Sequence, residues 1–204
     1  MSDTAYTRDF FERPSDTVAR ELVGSGLVLR TKDAVIRVLI VETEAYGGRD
    51  DPASHAFRGP TPRSRIMFGP AGFLYVYRIY GIHWCLNVVT DVVGSANAVL
   101  IRAGEIVSVA SVGAAANETS VPLRGPGVLT RELGITGADN AEDCCSDPPG
   151  RFSFADVGAG PGVHVIRSIR VGISRGQERL SRYYREGHRA VSGSPSAPLR
   201  PKEG

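Results

Sequence analysis

The sequence predicts an α+β fold: one domain built on a curved, mainly antiparallel β-sheet, with flanking helices and a protruding β-hairpin. Three observations lead there. Segments of strand character follow one another with short turns between them, only two stretches read as helices, and no internal repeat is visible. A chain of 204 residues fits one large domain and can bury roughly 70% of its unfolded surface, so its core needs no disulfide support. The domain is expected over residues 1–192. The tail from 193 to 204 has the Ser-Pro-Gly composition of a disordered segment.

The elements follow in order. PSDTVARELVG (14–24) reads as a short helix, with Ser15 as candidate N-cap and Gly24 past its end. GLVLR (26–30) and AVIRVLIVETEAY (34–46) are apolar and β-branched, hence strands. GGRDDPASHAFRGPTPRSR (47–65) is a long loop, and loops of that length inside compact domains are usually functional. FLYVYRIY (73–80) alternates, with Phe73, Tyr75, Tyr77 and Ile79 on one face. WCLNVVT (84–90) and NAVLIRA (97–103) are the next strands, which leaves Tyr80, Gly81, Ile82 and His83 at a hairpin tip. RGPGVLTRELGI (124–135) holds a helix near its centre, and GADNAEDCCSDPPG (137–150) reads as an exposed acidic loop. VHVIRSIRVGI (163–173) reads as a further strand, and the chain beyond Ser174 is strongly basic.

Composition excludes several classes. No run of 18 apolar residues occurs, and MSDTAYTRDF lacks a signal-peptide core, so a membrane or secreted protein is not expected. Cys85, Cys144 and Cys145 are odd in number and form no Cys-x-x-Cys pair, which argues against a disulfide framework and against a zinc site. The expectation is a reduced, cytoplasmic, monomeric protein with no metal and no cofactor.

Charge is distributed unevenly. Only Lys32 and Lys202 are lysines among the 24 basic residues. Residues 52–90 contain no Asp or Glu, yet they carry Arg58, Arg63, Arg65 and Arg78, and seven of the fifteen aromatics. Arginines interleaved with aromatic rings and free of acid suit a surface that holds phosphates and stacks bases. An aromatic core hairpin with solvated arginines accounts for part of the same pattern.

The acidic end of the second strand raises the chemical question. Glu42 and Glu44 share a strand face, roughly 6.5–7 Å apart along it. That overlaps the carboxylate separation of inverting glycosidases, so a sugar hydrolase is one reading. The other is that one glutamate alone acts, taking a proton from water at an N-glycosidic bond whose leaving base departs easily. Attack through an amine needs a lysine or terminal amine of lowered pKa, and Lys32 lies far from the cluster in sequence, so a water nucleophile fits better. A base inside a duplex must be flipped out and its gap filled by a rigid apolar wedge, and Tyr80 beside Gly81 suits that role.

IVETEAY, HAF and TPRSRIMFGPAGFLYVYRIYGIHWCLNVV together resemble the alkyladenine (3-methyladenine) DNA glycosylase family. FFERPSDTVARELVG, RGPGVLTRELGI and RVGI extend the similarity over roughly residues 8–190. The resemblance implies a monofunctional glycosylase of base excision repair that removes alkylated or deaminated purines from double-stranded DNA. It implies that Glu44 activates the attacking water and that Arg102 helps to hold that water. It further implies that Tyr46, Tyr77 and His55 enclose the flipped base and that Asn87 crowds the exocyclic amine of guanine. Tyr80 matches the intercalating tyrosine of the family's DNA-inserting hairpin, and Arg63 and Arg65 match positions that contact the DNA backbone. Electron-rich rings favour an alkylated, cationic base by roughly 0.5–2 kcal/mol per contact.

The chain departs from the family pattern in three places. Ser64 stands where the family tends to have Asn, AGEIVSV follows Arg102 in place of a Pro-containing turn, and the C-terminal element is reduced to LSRYY (180–184). Two other readings stay open at this level: a catalytically silent nucleic-acid-binding module and a carbohydrate glycosidase. Salt-dependent DNA binding separates the last from the others.

Overall fold

A computed structural model describes residues 4–111, 113–157 and 163–193. In chain order its elements are α1 (Arg8–Phe11), α2 (Ser15–Leu22), β1 (Gly26–Arg30), β2 (Ala34–Gly47), β3 (Leu74–Ile79), β4 (His83–Thr90), β5 (Asn97–Ser111) and β6 (Ala116–Leu123). They continue with α3 (Pro126–Glu132), β7 (Phe152–Ala155), β8 (Val165–Ser168) and β9 (Arg182–Arg185), with three short 3-10 turns between. The class is α+β, one domain on a curled antiparallel sheet, as the sequence predicts.

Two long strands organise this sheet. β2 and β5 pair antiparallel from Ala34↔Ser111 to Gly47↔Asn97. Each changes its outer neighbour halfway. β2 pairs with β1 through its first half and with β9 at Glu42–Glu44, while β5 pairs with β4 at Asn97–Leu100 and with β6 from Gly104 onward. Register shifts between Ile40 and Glu42, and between Glu42 and Thr43, fall at that changeover. Bulges bend a strand and increase its twist, so the sheet curls where the two glutamates leave it. The remaining strands extend the edges, with β3 on β4, β7 on β1 and β8 on β9.

The main core lies between the sheet and α2. Val18, Ala19 and Leu22 of α2 pack with Leu27, Leu29, Val38, Ile40, Leu86, Val88, Val99 and Ile101 of the sheet. The 3.6-residue spacing on α2 and the period of two on the strands point these side chains at one another. Leu129 and Leu133, on and just after α3, join from the other end.

Several expectations are corrected. The N-cap of α2 is Pro14, no side chain caps it, and Ser15 is its first, buried residue. The strand expected over 163–173 is confined to Val165–Ser168, because Gly172 takes φ +76° and the Val171 N–H leaves the ladder for a carboxylate. The strand expected over 97–103 runs on to Ser111. The segment 137–150 is not a free acidic loop. Leu74 N–H donates to the Glu142 carbonyl and Val76 N–H to Asn140 Oδ1, so it covers the open edge of β3, with Asp139 and Cys144 buried. Covering an edge strand in this way protects it from pairing with another chain. β6, β7 and β9 carried too little pattern to be read from sequence, and the basic segment after Ser174 contributes β9 to the sheet. The tail expected to be disordered lies, apart from Gly193, outside the described residues.

Candidate active site

A cavity of about 270 Å³ opens beside the changeover of β2 and β5. Tyr46, His55, Tyr77, Asn87 and Arg102 line it, so five residues singled out from sequence come together from five different segments. Alternation explains two of them: Tyr77 and Asn87 sit on paired strands β3 and β4, two residues from Tyr75 and Cys85, which also line the cavity. His55 arrives from the long 47–65 loop. That loop is folded back by short turns and by buried Asp51, Ser54, Ala56 and Ser64.

Glu44 lies directly behind the lining and is fully buried. Its Oε1 accepts the Val171 N–H at 2.8 Å, and its Oε2 accepts the Tyr46 hydroxyl at 2.9 Å. Arg102 Nη1 stands 3.5 Å from Oε1. Burial raises the Glu44 carboxyl above the usual range, and the Arg102 charge, the Val171 N–H and the Tyr46 hydroxyl offset this only in part. A carboxylate kept in a buried site, proton-hungry yet held by three donors, is suited to take a proton from water. Tyr46 is pushed well above its ordinary value by burial and then by the Glu44 charge, so its hydroxyl remains a donor.

Glu42, the other acid, has no face on the cavity. Arg182 Nε donates to its Oε1 at 2.7 Å and the Ser192 N–H to its Oε2 at 2.6 Å, while Arg102 Nε forms an ion pair with Oε1 at 3.1 Å. The i, i+2 pattern therefore places both carboxylates on Arg102 and only one against the cavity wall.

The aromatic side of the cavity is a stack of contacts. The His55 and Tyr77 rings meet edge-on with centroids 4.6 Å apart, and Tyr75 and Tyr77 lie 5.2 Å apart. His55 Nδ1 shares a proton with the Tyr75 hydroxyl at 2.8 Å, which leaves Nε2 for a ligand. Part of the imidazole is open at the cavity mouth, yet packing against its neighbours and then the Arg63 charge lower it to about 4. It is therefore neutral at pH 7. Asn87 Nδ2 donates to the Tyr75 carbonyl at 2.9 Å, which fixes its amide against the wall.

The three remaining residues lie outside the cavity. Tyr80 is 80% exposed at the tip of the β3–β4 hairpin, with φ +52°, followed by Gly81 at φ +72°. Two successive positive φ values make the tight primed turn that matches strand twist. Arg65 is exposed on a 3-10 turn. Arg63 is exposed too, but it is not a free cation, since its guanidinium lies 4.6 Å over the Tyr77 ring.

Sequence reasoning missed one wall altogether. Val171, Gly172, Ile173, Ser174 and Arg175 line the cavity as irregular backbone. Buried Arg170 holds them there, with its Nη2 donating to Asp51 Oδ1 at 2.8 Å and its Nη1 to Ala45 O at 2.9 Å. Its guanidinium also lies 4.7 Å over the Tyr46 ring. The usable signal was Gly172 inside a presumed strand, since an interior glycine marks a break or a close approach.

An aromatic cavity backed by a buried carboxylate and lined by an arginine has the groups that a hydrolase site needs. The family model for methylpurine-DNA glycosylases matches residues 9–189. Relatives provisionally named 3-methyladenine DNA glycosylase occur in Frankia casuarinae (44% identical, covering 95% of this chain and 94% of its own) and Methanoculleus marisnigri (44%, 90% and 96%). A third, from Rickettsia felis, is 41% identical over 86% of this chain and 90% of its own. The chain belongs to the methylpurine-DNA glycosylase family and is a DNA glycosylase, a hydrolase of N-glycosidic bonds. No helix among the described residues is long and apolar enough to cross a membrane.

Proposed function

We propose that this protein, acting as a monomer, flips an alkylated or deaminated purine out of duplex DNA and hydrolyses its N-glycosidic bond with water activated by Glu44, leaving an abasic site. The observation that carries this reading is the buried Glu44 carboxylate behind the aromatic cavity, with Arg102 3.5 Å away. The steps follow from the residues. Tyr80 fills the gap left by the flipped base, since it stands exposed on a rigid turn. Tyr46 and Tyr77 offer electron-rich faces to a base made cationic by alkylation, and such a base is already a good leaving group. His55, neutral at pH 7, contacts the base edge without repelling a positive charge. Asn87, pinned to the Tyr75 carbonyl, is a fixed obstacle where guanine carries its exocyclic amine.

Glu44 then takes a proton from water as the nucleophile bonds to the sugar carbon and the base departs with the bonding electrons. Arg102 orients the water and balances the carboxylate. Arg63 and Arg65 contact the DNA backbone. The carbohydrate reading is disfavoured because Glu42 does not line the cavity and both its oxygens are engaged, by Arg182 and Arg102 on one and by the Ser192 N–H on the other. Lys32 sits in an exposed turn before β2 and Glu44 near the far end of that strand, so no lysine amine among the described residues stands ready for covalent attack.

The test is single-turnover excision from duplexes carrying 3-methyladenine, 7-methylguanine, hypoxanthine or ethenoadenine, beside undamaged DNA. Release of one or more damaged bases, uncut strands and no borohydride-trapped adduct support the reading. Excision of none, or a trapped adduct, contradicts it.

A further inference from the structure

Glu42 is the buried acid that the reaction above leaves unused. It is wholly inaccessible, two residues from Glu44 on the same strand, and paired with two guanidiniums. On one side Arg102 Nε approaches Glu42 Oε1 at 3.1 Å. On the other, Arg182, also fully buried, approaches the same oxygen at 2.7 Å. Ser192 closes the group through three separate atoms. Its N–H donates to Glu42 Oε2 at 2.6 Å, its Oγ accepts Arg102 Nε at 2.9 Å, and its carbonyl accepts Arg182 Nη2 at 2.9 Å. Two carboxylates and two guanidiniums thus form a quartet, Glu44–Arg102–Glu42–Arg182, in which Arg102 lines the cavity, Glu44 lies directly behind that lining, and Glu42 and Arg182 lie deeper.

The distances within the quartet are unequal. Arg102 is closer to Glu42 (3.1 Å) than to Glu44 (3.5 Å), and the Ser192 hydroxyl holds it on the Glu42 side. A guanidinium free to choose would settle on the carboxylate nearer the cavity in a bidentate pair, the strongest geometry available to it. Here it cannot, because its Nε is already committed.

We propose that Glu42, fixed from behind by Arg182 and Ser192, is a positioning residue that holds Arg102 back from Glu44, so that the reactive carboxylate keeps a loose partner instead of a closed ion pair. A closed pair would make Glu44 a weaker base and would fill the space that water must enter. The inference rests on the reading of Glu44 as the base. It also gives the C-terminal segment a part in catalysis, since Arg182 and Ser192 lie on and after β9.

The groups that face Glu44 are Tyr46 and Glu42 from β2, Arg102 from β5, Cys85 from β4, Arg182 opposite it on β9, and Arg170 with the Val171 N–H from the wall. Two consequences of removing Glu42 act in the same direction. The like charge that raises Glu44 disappears, and Arg102, which lowers it, is released toward Glu44. Both move the acid limb of the pH–rate profile downward.

The experiment compares single-turnover excision from a hypoxanthine or 3-methyladenine duplex by wild type, Glu42→Gln, Glu42→Asp and Ser192→Ala between pH 4 and 9, with DNA binding and melting temperature measured alongside. Glu42→Gln is expected to shift the acid limb down by about one pH unit and to lower the plateau several-fold with binding unchanged. Glu42→Asp keeps the charge but withdraws the carboxylate by one methylene, so its limb should also move down. A purely electrostatic Glu42 would leave it in place. Ser192→Ala, which keeps the N–H and every charge, should move it the same way by less, and it serves with Glu42→Asp if Glu42→Gln does not fold. Unmoved limbs in the folded variants, with only the melting temperature reduced, would overturn the proposal, as would an upward shift. Glu44→Gln is the control: if it stays active, the base assignment fails, and if it is inactive while the limbs stay unmoved, only the role of Glu42 fails.

Discussion

Tyr46 donates its hydroxyl to Glu44 Oε2 at 2.9 Å, from two residues further along the same strand. The i, i+2 relation of a β-strand therefore serves two purposes, placing an aromatic face on the cavity and a proton donor on the carboxylate behind it. The hydrogen bond also sets a sign. Because it favours the charged form of Glu44, it opposes the larger effect of burial, which raises the carboxyl.

Excision should consequently fall in acid at a pH above the usual carboxylate range, since Glu44 must be ionised to accept a proton and its folded-state pKa is raised. Tyr46→Phe removes one of the groups that lower it, so its acid limb should move to still higher pH, opposite to the Glu42 variants. Single-turnover rates from pH 4 to 8 measure both. A limb that stays in place in Tyr46→Phe would remove the hydroxyl from the tuning of Glu44.

Tyr80→Ala should weaken capture of the flipped base and leave stability unchanged. The side chain is 80% exposed, and surface substitutions of this kind stay within about 0.5 kcal/mol, or about 2 °C in melting temperature for a chain of this size. The positive φ of Tyr80 adds that Tyr80→Gly should be at least as stable as wild type. Unimpaired excision with a fall of several degrees would reject the wedge role.

Asp51 and Arg170 form the pair that fastens the missed wall to the 47–65 loop, with both side chains essentially buried. Asp51→Asn leaves Arg170 uncompensated, which should cost about 3–5 kcal/mol and lower the melting temperature by about 6–20 °C. Burial alone would raise the Asp51 carboxyl, but the Arg170 hydrogen bonds, the Gly47 and Ala53 N–H groups and the Arg170 charge together hold it below the usual range. A lowered folded-state pKa means that the stabilisation is present above the ordinary carboxylate value and is lost as pH falls through the folded one. The gap between wild type and Asp51→Asn should therefore be full at pH 7 and shrink below pH 4, as thermal melts across that range will show.

What sequence could reveal follows the range of each interaction. The strand 34–46, the 73–90 hairpin and the tight turn at Tyr80 are local patterns, and they fold as read because alternation and turn chemistry suffice there. Bringing Tyr46, His55, Tyr77, Asn87 and Arg102 into one cavity was implied by a resemblance, because no local pattern places His55 beside Tyr77. The wall at 170–175 was misread because its conformation depends on Asp51, 119 residues earlier in the chain, and on an N–H that Glu44 diverts from the ladder. β9 escaped notice for a related reason: the strand begins at Arg182, whose burial is intelligible only once its ion pair with Glu42 is known.

The central claim is that Glu44 alone among the carboxylates activates water. The most direct test is single-turnover excision by Glu44→Gln on a hypoxanthine duplex, with DNA binding measured separately. The account predicts retained binding and a rate reduced about 10²–10⁴-fold, the range for loss of a general base. Glu42→Gln should lose only several-fold. An active Glu44→Gln, or equal losses in the two variants, would contradict it.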